Sequence, residues 1–312
     1  MWIIIALTSY AIFAASSVAD KYVLTGPLPN PRLYAFYVGV LGILIFIVAP
    51  FTGFGMLPLT DLLAALIAGA AFVFAILFMY SGLRVFEATS FLPVVGGMVP
   101  VFTLMSGFVL FSGGRGLSAG DIAAFIILVL GIVVITDGSK SKITARGIAM
   151  AAAASLFFAL YFLFSKYVFL NNLFWTDIIW IKAGSFIVAA GLFAAYSDLR
   201  REVIGSRLVS QNRGTMLAGW KLMLLILALQ FMGAVAGILQ SFSIYLAPVL
   251  YTAYVSAFSG TQYVFLLILA IVISAKFPKI INESPRGRLL ARKITATFLI
   301  VAGTVIVALY AR

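Results

Sequence analysis

"VADKYVL" at 18–24 closes the first apolar run of the chain, and "LFSKYVF" at 163–169 closes another, 145 positions later. The shared letters are Lys21/Lys166, Tyr22/Tyr167 and Val23/Val168. At the same offset Ala6 meets Ala151, Phe13 meets Phe158 and Ala14 meets Ala159. Gly39 and Gly184 extend the match into the next run. Farther on the offset widens to about 160, where Ser81 stands opposite Ser241. It then reaches 172, pairing Ile122/Ile294, Ala124/Ala296, Val129/Val301, Gly131/Gly303 and Val133/Val305. The slack falls in hydrophilic gaps and the order of segments is kept, which is the signature of an internal repeat. The division is 1–136 for the first copy, 137–145 for a linker and 146–312 for the second.

Composition says what solvent this repeat is built for. Apolar residues are 64% of the chain and charged residues 10%, with a mean hydropathy of +1.17. A soluble domain holds roughly 45–50% and about 25%. No core in water could hide so much apolar surface, so lipid is the solvent for most of the chain. A span needs about 20 apolar residues, and ten runs qualify. They lie near 2–22, 33–51, 62–84, 88–111, 119–136, 146–169, 175–196, 218–243, 248–275 and 290–310. The first run lacks a basic leader and a clear cleavage site, so it reads as a retained span. The expected fold class is an all-α integral membrane protein of ten transmembrane helices. Five spans per copy is an odd number, so the second copy enters the membrane upside down. Two inverted five-helix repeats are the architecture of many secondary transporters.

Charge sets the expected orientation. Of 21 lysines and arginines only Arg115, Lys166, Lys182 and Arg312 belong to one side. The others flank the gaps after spans 1, 3, 5, 7 and 9, which are therefore predicted cytoplasmic. Both termini are then outside, in a multi-pass protein of the cytoplasmic membrane. The net charge of +12 fits a basic face against anionic lipid rather than nucleic acid. In "SDLRREVIGSRLV" (197–209), Leu199, Val203, Ile204 and Leu208 fall near helical spacing. A short helix on the inner leaflet and a solvated loop are both consistent with it.

The chain has no cysteine and no histidine. Disulfides, thiolate chemistry, imidazole catalysis and His/Cys metal sites are excluded, and no nucleotide-binding loop is present. No cofactor is implied.

Residues 88–135, "ATSFLPVVGGMVPVFTLMSGFVLFSGGRGLSAGDIAAFIILVLGIVVI", carry Ala88, a mid-helix Pro100, an Arg115–Leu117–Ser118 turn and Gly131. That pattern resembles the second part of an EamA domain of the drug/metabolite transporter superfamily, and the second half looks like a divergent second copy. The resemblance implies a ten-span carrier of small metabolites, acting in efflux. Gly114 replaces the glutamate the family usually has before the turn arginine. Such proteins are usually drawn with cytoplasmic termini, opposite to the charge count.

Ionisable groups within spans are functional candidates, because each costs roughly 2.5–3.5 kcal/mol to insert. Lys21 and Lys166 close spans 1 and 6. They read either as snorkelling side chains that complement a helix end or as symmetry-related gate charges at opposite faces. Lys182 lies about 10 Å into span 7. With Lys166 and Asp177 it outlines an electropositive outer vestibule. Asp20 shares a helical face with Ser9 and Ser16, and Glu87 follows Arg84 by three residues, which suggests a local ion pair. "PVVGGMVP" (93–100) in span 4 offers carbonyls through Pro100 or a close packing face. Gln230, Gln240 and Gln262 are expected to face a cavity or another helix, with Tyr254 in the polar part of span 9. "GAVAG" (233–237) reads as a small-residue packing face. Tyr80, Trp175 and Trp180 read as interfacial anchors, with Tyr80 kept as a binding candidate.

The expected function is a secondary transporter, an exporter or exchanger, moving amino acids or related solutes by alternating access. Its partners are a small-molecule substrate and the bilayer, with protons or a counter-solute as coupling species. A passive channel, a membrane-embedded enzyme and an assembly partner are the alternatives. The enzyme fares worst, because nine carboxylates include no paired acidic motif and no nucleophilic constellation.

Overall fold

The computed structural model describes residues 1–25, 30–111, 119–137, 143–170, 172–204, 219–247, 259–276 and 288–310. Among the described residues there is no strand. The order is α1 (Trp2–Thr25), α2 (Pro31–Leu41), a 3-10 continuation (Gly42–Phe51), α3 (Leu59–Val85), α4 (Ala88–Phe111) and α5 (Ala119–Asp137). Then follow α6 (Ala145–Phe169), α7 (Phe174–Ala195), α8 (Ser197–Ile204), α9 (Gly219–Leu246), α10 (Ser259–Lys276) and α11 (Arg288–Tyr310). A helix thus stands at each of the ten expected positions. Six are long and apolar enough to cross a membrane as they stand: α1, α2 with its 3-10 half, α3, α6, α7 and α9 from Leu224.

Local chemistry starts these helices where the sequence leaves lipid. The Asn30 carboxamide accepts from the Arg32 amide at 3.0 Å and Pro31 opens α2, which satisfies one of the free amides of a first turn. Thr144 caps α6 through the Gly147 amide at 3.3 Å. The exterior is apolar: Ile4, Ile47, Phe231 and Phe298 are each about 70% exposed, at 70%, 69%, 71% and 71%. A surface of this kind aggregates in water and is at home in lipid.

Among apolar helices the association comes from close approach and from side-chain hydrogen bonds. α3 runs through the middle, against α6 and α7. A Cβ at Gly69 would land on the Ile181 carbonyl oxygen and 2.6 Å from the Ser185 amide, so only glycine lets α3 meet α7 here. The Ser185 hydroxyl donates to the Gly69 carbonyl at 3.0 Å across the same crossing. The Ser9 hydroxyl of α1 donates to Ala236 O of α9 at 3.0 Å. That of Ser155 in α6 donates to Val95 O of α4 at 2.7 Å.

α5 and α11 pack through a reciprocal contact. A Cβ at Gly131 would come 2.8 Å from Ile300 Cγ1, and one at Gly303 would come 2.7 Å from Leu128 Cγ. Gly131/Gly303 and Leu128/Ile300 are both 172 apart, so each glycine receives the counterpart of the residue the other receives. The first offset behaves alike: Ala6, Ala14 and Val23 are fully buried, and so are Ala151, Ala159 and Val168.

The "GAVAG" expectation is corrected. A side chain at Gly233 or Gly237 would meet nothing within 4 Å among the described residues, and the α9 face that meets α1 carries Ala236 instead. The 197–209 segment is helical over Ser197–Ile204, with Leu199 buried and Ile204 exposed; residues 205–209 lie outside the described ones. α8 is tied to the start of α2 by Arg32–Asp198 at 3.1 Å and by Asn30 Nδ2 donating to Glu202 at 2.9 Å.

Gly69→Val is expected to lower stability by about 1–3 kcal/mol or more, as overpacking does. Gly191→Val, at a glycine with no neighbour within 4 Å, should stay near wild type. Thermal unfolding in detergent compares the two, and equal stability would remove Gly69 from the packing account.

Candidate functional site

The two matched lysines do the same thing. Lys21 Nζ donates to Leu83 O and Phe86 O, both at 2.7 Å, where α3 ends. Lys166 Nζ donates to Ile244 O at 3.1 Å and Ala247 O at 3.0 Å, where α9 ends. The last carbonyls of a helix have no intrahelical partner, and an ammonium there meets both the orphan acceptors and the negative end of the dipole. Each lysine therefore closes a neighbouring helix, neither its own helix end nor a solvent interface. The donors are 145 apart and the acceptors 161 apart. The acceptor offset of 161 is one residue beyond the Ser81/Ser241 identity.

The lysines stand at opposite ends of α3. Asn172 Nδ2 donates to Asp61 Oδ2 at 2.9 Å and to Val168 O at 3.1 Å, which puts the Lys166 end of α6 beside the start of α3. Lys21 is at the other end, roughly 33 Å away by the helical rise from Asp61 to Leu83.

Near the Lys21 end a carboxylate is buried among hydroxyls. Asp20 is 6% exposed. Tyr34 OH donates to its Oδ1 in a short hydrogen bond, and Ser16 Oγ donates to Oδ2 at 3.4 Å. Tyr80 also hydrogen-bonds Asp20, and its ring lies 4.7 Å from that of Tyr34. Hydroxyl donors are what a carboxylate needs in place of water. Tyr80 is corrected from an interfacial anchor to an interior donor; the polar stripe expected from Ser16 to Asp20 is present.

Glu87 is also corrected. Its partner is Lys293 of α11, Nζ to Oε2 at 2.7 Å, with a second bond from Lys293 to Thr89 Oγ1 at 2.6 Å. Arg84 is exposed. The Lys293 side chain is 1% exposed, so a residue counted among the loop cations is an interior ion that joins α4 to α11.

A second polar layer crosses the bundle nearer the Lys166 end. Tyr161 OH and Ser241 Oγ are 3.2 Å apart, and the Tyr10 hydroxyl hydrogen-bonds Gln240. The Phe72 ring packs on Tyr161 at 5.2 Å and carries the Lys182 ammonium on its other contact, 4.5 Å from the ring centroid. This cation–π contact is the one charge-compensating contact that Lys182 has among the described residues, with no ion pair or hydrogen bond to any of them. The expected vestibule of Lys166, Lys182 and Asp177 is therefore not assembled: Lys166 is committed to α9, Lys182 faces Phe72, and Asp177 pairs with neither. The layer draws on α1, α3, α6, α7 and α9, helices from both halves of the chain.

No family model matches the chain, and no curated protein matches it. A solved structure described only as "Crystal structure of protein" superposes with a TM-score of 0.60 at 15% identity, covering 100% of this chain and 98% of that chain. That likeness establishes a shared fold from end to end.

The remaining candidates divide. Gln262 Nε2 donates to Ser17 Oγ at 3.4 Å, so Gln240 and Gln262 both face α1, as expected of glutamines in lipid. Gln230 Nε2 is buried without a partner. Pro100 and Pro93 lie inside α4. Between them a Cβ at Gly96 would overlap the Tyr263 hydroxyl of α10, which is the packing reading, while Val95 O accepts from Ser155, which is the offered-carbonyl reading. Tyr254 lies outside the described residues. Tyr10, Tyr34, Tyr161, Lys293 and Asp61 were not singled out from the sequence; a mid-span tyrosine was the available signal for Tyr10 and Tyr161.

Lys293→Met should destabilise the protein by about 3–5 kcal/mol, the cost of leaving a buried charge without its partner. Adding Glu87→Met should recover most of that loss. Unfolding of the single and double variants checks this, and an equally damaged double variant would contradict it.

Proposed function

We propose that the chain is a secondary transporter, an exporter or exchanger, that carries small metabolites such as amino acids across the cytoplasmic membrane by alternating access. In this reading it is an EamA-like member of the drug/metabolite transporter superfamily. Its ten spanning helices form two inverted five-helix repeats, and its termini lie outside. The helix-closing lysines and the reciprocal glycine contacts at fixed offsets support the repeat. Five helices per copy make the copies antiparallel, and an antiparallel pair can exchange conformations to expose one site to either side.

The observation that carries the reading is the Lys182 ammonium. It is a part-buried cation whose one charge-compensating contact among the described residues is the Phe72 ring face, next to hydroxyls and an amide from several helices. An interior charge without a counter-ion is costly, and an anionic or zwitterionic solute would relieve that cost while bound. Substrates carrying a carboxylate fit such a site. The charged centres of the site are otherwise internally satisfied, and no nucleophile stands beside a base in it, which favours carrying over chemistry.

Flux into proteoliposomes, measured over a panel of amino acids, other small carboxylates and drug-like cations, tests it. Saturable flux of a carboxylate-bearing solute, lowered at least tenfold by Lys182→Met at equal expression, is the expected outcome. Non-saturating downhill flux would make the protein a channel. Saturable flux indifferent to Lys182→Met would remove Lys182 from the site.

A further inference from the structure

Two carboxylates, Asp61 and Asp177, stand at the starts of α3 and α7. Asp177 sits in the first turn of α7 and is fully buried, at 0% exposure. Neither of its carboxylate oxygens has a hydrogen-bond partner among the described residues. Asp61, in the first turn of α3 and 6% exposed, stands close enough to interact with it electrostatically. The two differ in their surroundings. Asp61 accepts from Asn172 Nδ2 at 2.9 Å and from Thr60 Oγ1 at 3.3 Å; Asp177 accepts from nothing.

Among the described residues the neighbours leave the pair without a cation. From α6, Lys166 is turned onto the α9 carbonyls. From α9, Tyr245 packs its ring against Phe174 at 5.5 Å. Asn172, ahead of α7, is neutral, and the 3-10 segment Gly42–Phe51 has no ionisable residue. On α7 itself Lys182 faces Phe72. Asp61 is the carboxyl group near enough to act on Asp177 electrostatically. Two carboxylates in one dry site cannot both ionise cheaply, and the member lacking donors is the one that takes a proton.

We propose that Asp177 is a proton-carrying carboxyl, protonated while buried against a charged, hydrogen-bonded Asp61, and that it supplies the coupling proton of the carrier. The O–H proton is released to water when this end of the bundle opens, leaving a carboxylate, and returns before it closes. The coupling role rests on the carrier reading; the proton site itself does not. Two carboxylates and no further acidic ligand make a divalent cation a poor occupant, while sodium is the rival source of a single positive charge.

The purified protein in lipid, titrated upward from neutral pH, where the exposed carboxyls are already ionised, in potassium buffer and again in sodium buffer, tests the site by infrared absorption of protonated carboxyl groups. A carboxyl band that is lost on alkalinisation is expected. It should be missing in Asp177→Asn, retained with a shifted frequency in Asp177→Glu, retained in Asp20→Asn, and indifferent to sodium. A wild-type band that survives in Asp177→Asn would overturn the assignment, as would absence of the band at every pH. Loss of the band on adding sodium at fixed pH would make the site a sodium site instead. This measurement needs no substrate, so it succeeds or fails separately from the flux assay.

Discussion

A lysine ammonium bonded to the last carbonyls of a neighbouring helix is the interaction on which the rest of this structure rests. In water the end of a helix is satisfied by solvent. In lipid an unpaired carbonyl costs several kcal/mol, so a helix that ends against another must be closed by a donor. Lys21 closes α3 and Lys166 closes α9. Each bond holds two helices at a set depth and gives a cationic side chain a place inside. Packing can then be done by small residues, since depth is no longer left to apolar surfaces that have no preference along the helix axis.

From that constraint the polar interior follows. With α1 set against the end of α3, Asp20 comes to Tyr80 and to Tyr34 of α2. With α6 set against the end of α9, Tyr161 comes to Ser241 and Gln240 to Tyr10. The equivalent positions Tyr80 and Ser241 carry different chemistry, a phenol toward a carboxylate in one case and a hydroxyl toward a phenol in the other. In the proposed inverted arrangement the Asp20 layer thus lies toward the membrane face opposite the Asp61–Asp177 pair.

Much of this was legible in the sequence because lipid imposes length and hydropathy on every span, and both can be counted. The Lys-Tyr-Val recurrence marked the two helix ends that prove to make equivalent bonds. What was not legible depended on which helices meet. Glu87 had a cation three residues away in Arg84, yet its partner is 206 positions distant in Lys293. Lys293 looked like a loop charge, because its place at the start of a span says nothing about the helix beside it. Ser81 and Ser241 match by letter, but the bonds to Leu83 and Ile244 show the register to be one residue longer; serine is common in apolar text and a single identity carries little weight. Asp177 read as part of a cationic vestibule because sequence proximity to Lys182 is not spatial proximity: the lysine side chain leans across to α3, and the carboxylate faces Asp61.

The inverted arrangement has a direct test, helped by the absence of native cysteine. Thr25 follows Lys21 and Leu170 follows Lys166 by four residues each, 145 positions apart, and both are exposed. Thr25→Cys and Leu170→Cys, made singly, can be labelled with a membrane-impermeant thiol reagent in intact cells and in inside-out vesicles. Two oppositely oriented halves require labelling from opposite sides, with Thr25→Cys reached from the cytoplasm. Labelling of both from the same side would contradict the inverted repeat and the carrier built on it.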